Sequence, residues 1–216
     1  MLSSSSAWPL AGLRLTTPRL ELRPPSPADL DALAEVAAGG ICQPGTTPFF
    51  VEWPYRPPAE RALGFLQSQW RDRSSWSAQD WTLGFGVFAD GVAVGMQDVS
   101  AQEFLVLREV SSFSWLGLEF QGQGFGTEMR AAVLHLAFAC LGAREAVSGA
   151  FVSNARSLAV SARLGYVPDG ISRDVRAGEV LTTQRLRLSR SRWEQCAQVP
   201  VTVSGLEPCL PMFGLP

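Results

Sequence analysis

Between Trp115 and Ala132 the sequence WLGLEFQGQGFGTEMRAA carries residues whose types and spacing could do chemistry. Gly122, Gly124 and Gly126 crowd a turn that leaves an apolar, strand-like run and enters a helix. Glycine there permits the dihedrals of a tight turn and lets a ligand reach the backbone. The first amides of the helix have no partner of their own, and together with the helix dipole they favour an anion, a phosphate best of all. The spacing is Gln121-x-x-Gly124-x-Gly126. A P-loop would need G-x-x-x-x-G-K-[ST], and the chain has no lysine. A dinucleotide fingerprint would need G-x-G-x-x-G at the start of a βαβ unit, with an acidic residue about 20 positions on. Here Thr127-Glu128-Met129 follows instead, and the turn lies past the middle of the chain.

A second constellation stands at Ser153 to Val167, SNARSLAVSARLGYV. Asn154 marks a helix start and Leu164-Gly165-Tyr166 its end, which suits an ordinary N-cap and C-cap. Ser157 and Ser161 fall on the same helix face as Asn154.

In this order the two stretches resemble the Q/R-x-x-G-x-G/A and N-x-x-S-x-x-V-x-x-x-x-G-[FY] signatures of the GCN5-related acetyltransferases, GNAT. Thr17 to Arg23, TPRLELR, is similar to the opening of that family's ribosomal-protein N-terminal acetyltransferase (RimJ/RimL-like) branch. Residues 16–193 also resemble a bacterial, mycobacterial GNAT protein known as a succinyltransferase. The resemblance implies an acyl-CoA-dependent N-acyltransferase with acetyl-CoA or succinyl-CoA as donor and an amine-bearing acceptor: a protein N-terminus, a lysine or a small molecule. It implies the GNAT fold, an α/β (α+β) arrangement whose mixed, mostly antiparallel sheet has one parallel, splayed strand pair and flanking helices. It further implies that Gln121, Gly122, Gln123, Gly124, Phe125, Gly126 and Thr127 hold the donor's pyrophosphate. Trp115, Leu116, Gly117 and Leu118 then line the pantetheine arm through main chain, and Asn154 bonds its amide.

Acyl transfer to an amine needs a deprotonated nucleophile, a polarised thioester and a stabilised leaving thiolate. Many relatives place a tyrosine seven residues after the asparagine, where this chain has Ser161. Others in the N-terminal-acetylating branch use a serine three residues after it, which is Ser157. A glutamate that some relatives carry five residues before the asparagine is replaced by Gly149. Asp98, Glu103, Glu109 and Glu119 remain as nearby carboxylates, with a water relay beside them. The missing groups leave a second reading open, a catalytically weak GNAT domain that binds coenzyme A as a regulatory or scaffold module.

The elements that must position these residues follow from composition and period. At 216 residues, 46% hydrophobic and 18% charged, the chain is long enough for one substantial core. Net charge is −2 and every cation is arginine; the densest run, Arg185 to Arg192, alternates like a strand edge, which argues against nucleic acid as partner. Cys42, Cys140, Cys196 and Cys209 form no C-x-x-C pair and His135 stands alone, so no metal is expected. No segment reads as a leader or a membrane span, and a cytoplasmic location is expected.

Residues 1–15 read as a flexible lead-in, 16–196 as the acyltransferase domain and 197–216 as a tail, left open between packing on its own body and on a partner subunit of a homo-oligomer. Thr16 to Arg23 alternates as one strand, and Ser26-Pro27 opens a helix that Gly39-Gly40 stops. Residues 41–58, rich in proline and aromatics, read as an irregular loop. In the resembling family the segment between the first and second strands builds the acceptor cleft, which makes Phe50 and Trp53 there, with Phe49 and Tyr55, the acceptor-side candidates; for the succinyl group that the resemblance allows, Arg56 beside them is the best-placed cation for the carboxylate. A helix follows from Pro58. Trp81–Ala89 and Val92–Val99 form a hairpin at Asp90-Gly91, and Val110–Leu118 adds a third strand. A helix over Thr127–Leu141 precedes a strand over Glu145–Val152, parallel to Val110–Leu118. After the Asn154 helix come two strands joined at Ala177-Gly178.

Overall fold

The computed structural model describes residues 7–176, 179–197 and 199–216. The serine run of the lead-in, residues 3–6, and the turn expected at Ala177-Gly178 lie outside them.

One nine-stranded sheet organises the protein, in the order β7-β8-β6-β5-β4-β3-β2-β1-β9. Its strands are β1 (Arg14–Thr16), β2 (Glu21–Arg23), β3 (Asp80–Ala89), β4 (Val92–Gln102), β5 (Glu109–Leu116), β6 (Glu145–Phe151), β7 (Val167–Arg176), β8 (Glu179–Ser189) and β9 (Thr202–Ser204). All pairings are antiparallel except β5 with β6. This is the mixed α/β architecture expected from the sequence.

The single strand expected over Thr16–Arg23 is two. Pro18 has no N–H to give a ladder, and the chain turns there with the Thr17 amide donating to the Leu20 carbonyl at 2.9 Å. The pair β1–β2 is thus a short hairpin. The β3–β4 hairpin turns at Asp90-Gly91, both at positive φ (49° and 79°), as the dipeptide predicts. Near its tip Phe88 faces Ala93 but Val87 faces Gly95, so Val94 is an extra, bulged residue.

Helices α1 (Pro27–Gly39) and α2 (Pro58–Ser74) cover one face of the sheet. Ser26 and Asp29 close a capping box at the start of α1, with Pro27 in the first turn. Leu30, Leu33, Ala37 and Phe65 from these helices meet Met96 and Trp115 from the strands in one buried cluster. The one-turn helix α3 (Phe104–Leu107) links β4 to β5. On the opposite face α4 (Phe125–His135), continued by a π-helical turn over Leu136–Cys140, places Met129, Val133, Leu136 and Phe138 in the larger cluster with Val99, Val110 and Leu188. Helix α5 (Ala155–Arg163) precedes β7, and α6 (Arg190–Gln195) follows β8.

The described residues ahead of β1 and those around β9 are built into this body. Leu10, Leu13 and Leu15 are fully buried, so the expectation of a loose lead-in over 1–15 fails from residue 9 on: these leucines sit in the larger core. β9 pairs with β1, and in the turn of helix over Glu207–Phe213 the side chains of Cys209 and Phe213 are fully buried. The Phe213 ring lies 5.0 Å from Trp81 and 5.6 Å from Trp76. The tail therefore packs on its own body. No helix among the described residues is long and apolar enough to cross a membrane.

Candidate active site

The parallel strands β5 and β6 pair only at Glu109–Glu145, Val110–Ala146 and Ser111–Val147. Beyond Ser111 they separate. β5 continues against β4 to Leu116, and β6 continues against β8 to Phe151. The backbone groups of 112–116 and 148–151 that face the gap line a cavity of about 1130 Å³. Gly95 makes the close β4–β5 approach possible here, since a side chain would run into the Trp115 carbonyl.

The cavity runs to the glycine turn. Gly122 and Gly124 have positive φ (79° and 85°), and Gly124 is the N-cap of α4. The amides of residues 122–126 have no acceptor among the described residues, and Gly122, Gly124 and Gly126 face the cavity. A Cβ on Gly126 would meet nothing closer than 3.9 Å, so the protein leaves that space open. From outside, Arg19 clamps the turn. Its Nη2 lies 2.6 Å from Oε2 of the buried Glu128, its Nη1 donates to the Gln123 carbonyl at 3.0 Å, and its guanidinium lies 4.9 Å from the Phe125 ring centroid. Thr17 Oγ1 donates to the same carboxylate at 2.7 Å. Gln121 ties the turn inward: its Nε2 donates to the Ile41 and Leu116 carbonyls at 3.0 Å, and its Oε1 accepts from Arg156 at 3.3 Å.

On α5, Asn154 Oδ1 accepts from the Ser157 amide at 3.1 Å, the N-cap its sequence predicts. Asn154 and half-buried Ser157 line the cavity. Ser161 is fully buried and its Oγ accepts from Arg130 Nη1 at 2.9 Å. Arg130, on α4, is buried yet lines the cavity; its Nη2 donates to Ser114 Oγ at 3.4 Å, and burial lowers its pKa. Burial pushes the Tyr166 phenol beside it up to about 12, with the Arg130 charge and the Ser112 hydroxyl pulling the other way. The Tyr166–Ser112 approach falls short of hydrogen-bond geometry, so both hydroxyls are sealed from solvent without a partner.

The loop before α2 forms another wall. Phe49 and Phe50 line the cavity, with the Phe50 ring 4.4 Å from Phe151 and Phe49 5.5 Å from Phe113. The Tyr55 hydroxyl braces the loop, donating to the Phe49 carbonyl at 3.0 Å and accepting from its amide at 2.7 Å. No aspartate or glutamate lines the cavity among the described residues, whereas Arg130, Arg156 and Arg163 do. Asp98 sits one strand away, opposite Phe113. Its Oδ1 is sealed and unpartnered although the residue as a whole keeps some exposure, and burial, with Asp72 adding like charge, pushes its carboxyl up to about 8.

A sheet whose parallel strands part beside a turn of free amides offers room for a long ligand with an anionic end. The sequence matches the acetyltransferase (GNAT) domain family over residues 19–167. The chain belongs to the GNAT acetyltransferases. Solved structures share the fold. Mycobacterium smegmatis RimJ in complex with CoA-disulfide matches with TM-score 0.65 at 16% identity, covering 94% of this chain and 95% of that one. A GCN5-related N-acetyltransferase from Brucella melitensis matches with TM-score 0.65 at 18% identity over 84% of this chain and 80% of that one. A chimera of the spermidine N-acetyltransferase SpeG from Vibrio cholerae and hSSAT gives 0.62 at 16% identity, over 82% and 98%.

Of the residues expected to hold the donor in this GNAT domain, Trp115, Leu116, Gln121, Gly122, Gly124, Gly126, Thr127 and Asn154 line the cavity. Gly117 and Leu118 do not: β5 ends at Leu116, and their amides donate to the Val94 and Gly40 carbonyls at 3.0 and 3.1 Å. Gln123 and Phe125 point outward to Glu119 and Arg19. Ser161 lies outside the cavity because Arg130 holds it in the core. Of the acceptor-side candidates only Phe50 reaches the cavity with Phe49. Trp53 packs into the α1–α2 cluster, its ring 6.0 Å from Trp115, and Arg56 is exposed on the far side of the loop. Arg19, Glu128, Arg130, Arg156 and Arg163 had not stood out in the sequence. The Thr-x-Arg opening was the one signal that could have directed attention to Arg19.

Proposed function

We propose that this GNAT acetyltransferase carries an acetyl or succinyl group from coenzyme A to a primary amine, within the RimJ/RimL-like branch whose acceptors are protein N-termini. The observation that carries this reading is the parting of β5 and β6 beside a turn whose amides lack acceptors. Free amides at 122–126 suit the pyrophosphate, and the cations Arg156 and Arg163 at the same rim suit the remaining phosphate charge. The unpaired edges of 112–116 and 148–151 suit the amides of the pantetheine arm. An edge amide polarises the thioester carbonyl as the amine nitrogen forms its bond to carbon. When the C–S bond breaks, Ser157, one of the hydroxyls on the cavity wall, is suited to hydrogen-bond the departing thiolate and to relay to it a proton that the serine regains from water in the cleft. The amine proton leaves through water in the cleft, since no carboxylate lines it among the described residues.

The test is release of free thiol from acetyl-CoA and succinyl-CoA in the presence of amines and N-terminal peptides. Amine-dependent thiol release is the expected result. Tight coenzyme A binding with no transfer to any amine would instead support the regulatory or scaffold role.

A further inference from the structure

The two faces of the gap between β5 and β6 differ in chemistry. Side chains alternate along a strand, so β5 turns Ser114 towards α4, where Arg130 donates to its hydroxyl at 3.4 Å, and Phe113 and Trp115 towards α1 and α2, where Trp115 joins their buried cluster. On β6, Ala146 belongs to the cluster under α4, which puts Gly149 and Phe151 on the same side as Phe113. From the loop before α2, Phe49 packs on Phe113 at 5.5 Å and Phe50 on Phe151 at 4.4 Å, so that two consecutive residues reach both banks of the gap. All four rings line the cavity, and Gly149 among them adds no side chain.

This aromatic wall stays open to solvent. Phe50 is 53% exposed, Phe113 38%, and Val51, which also lines the cavity, 43%. A wet apolar surface inside a cleft gains by being covered, and rings are covered best by another ring or a branched chain. With the anionic end of the donor at the glycine turn, this wall is left to the acceptor. Charge points the same way. Arg130, Arg156 and Arg163 line the cavity, and no aspartate or glutamate does among the described residues. Glu52, next along the loop from Val51, is not part of the lining, and neither is Asp98, opposite Phe113 on β4, whose carboxyl burial pushes up to about 8. A second positive charge on the acceptor would meet arginines here and no counter-ion in the lining, and a wet phenylalanine face gives an ammonium only a weak attraction.

We infer that the acceptor is a primary amine with an aromatic or branched apolar group close to its nitrogen and no second positive charge, that group being seated among Phe49, Phe50, Phe113 and Phe151. This rests on the N-acyltransferase reading above and names the acceptor class within it. An arylalkylamine and a peptide N-terminus whose first side chain is aromatic share this chemistry, and a polyamine lacks it.

The experiment measures kcat/KM by thiol release, with whichever of acetyl-CoA and succinyl-CoA reacts faster, for 2-phenylethylamine, ethylamine and 1,4-diaminobutane, and for otherwise identical peptides beginning with Phe, Gly and Lys. The affinity for free coenzyme A is measured alongside. Wild type should favour the aromatic member of a set over the small and the dicationic ones by about 10- to 100-fold, and the set in which it does so tells whether the site serves free amines or peptide N-termini. Phe50→Ala, a change to an exposed loop side chain, should cut that preference severalfold with coenzyme A affinity unchanged, and Phe50→Asp should raise kcat/KM for 1,4-diaminobutane. Phe113→Ala should cut the preference too, and covers the case in which shortening Phe50 displaces the loop. Equal rates within both sets would overturn the inference, as would a preference for the diamine or the Lys peptide, or an aromatic preference that survives in both alanine variants. No transfer to any amine would sink the N-acyltransferase reading itself, and this inference with it.

Discussion

At the scale of single residues, the site combines groups that the sequence announces with groups it conceals. Gly124 was legible because a positive φ favours glycine, and Asn154 because a helix start favours a capping side chain. Arg130 was not legible. An arginine within a run of apolar helix residues reads as a solvated interruption, and only the fold shows it buried against Ser161. Ser157→Ala should lower kcat by about 10- to 1,000-fold with coenzyme A affinity nearly unchanged, because the lost donor acts as sulfur leaves. Steady-state kinetics beside calorimetric titration would separate the two effects, and unchanged turnover would remove Ser157 from the mechanism. At Gly124, with φ 85°, a β-branched residue is more strained than alanine, and a Cβ there would come 3.2 Å from Arg19 Nη2 and press on the clamp. Gly124→Val should therefore melt lower and bind coenzyme A more weakly than Gly124→Ala. Equal binding would disconnect this turn from the ligand.

Asp98 makes a prediction of opposite character, concerning stability and not turnover. Its carboxyl titrates at about 8 in the folded protein against an ordinary value of 3.8. Between those values the native state holds a proton that the unfolded chain has released. The unfolded state binds fewer protons, so stability falls as pH rises through this window. Asp98→Asn should therefore flatten the decline in melting temperature between about pH 4 and pH 8, as read by thermal denaturation across that range.

At the scale of elements, local signals succeeded where a segment's conformation is decided by its own residues. Asp90-Gly91 turned the β3–β4 hairpin, and Ser26-Pro27 started α1. They failed where a partner distant in sequence decides. The turn at Pro18 divides what reads as one alternating strand, and it does so to present Arg19 to Glu128 across 109 residues of sequence. Nothing in either local pattern forecasts that pair. The strand β5 likewise stops at Leu116 instead of Leu118, because Gly117 and Leu118 donate to Val94 and Gly40. The Arg19–Glu128 clamp holds the outside of the glycine turn, so breaking it should loosen the turn without removing any group that faces the cavity. Glu128→Gln keeps the shape and removes the charge. It should weaken coenzyme A binding by about tenfold and lower stability by roughly 1–3 kcal/mol, since both Arg19 and Thr17 lose a charged acceptor. Coenzyme A affinity equal to wild type would show the turn to be self-supporting.

At the scale of the whole molecule, the additions on both sides of the matched family region belong to the core. Phe213 is fully buried between Trp76 and Trp81, and its truncation to alanine should cost about 3–5 kcal/mol, read as a large drop in the urea midpoint. A small effect would mean that the tail is a detachable cover.

The pairing of β1 with β9 brings Arg14–Thr16 beside Thr202–Ser204, contacts between residues nearly a chain length apart. Arg19, in the turn directly after β1, thus stands next to a part of the sheet that is complete only when the last strand arrives. During synthesis on the ribosome the glycine turn and its helix emerge long before β9 does. Nascent chains stalled at increasing lengths should gain protection from protease by coenzyme A only once Ser204 has cleared the exit tunnel, because the sheet edge beside Arg19 is complete only when β9 has paired with β1.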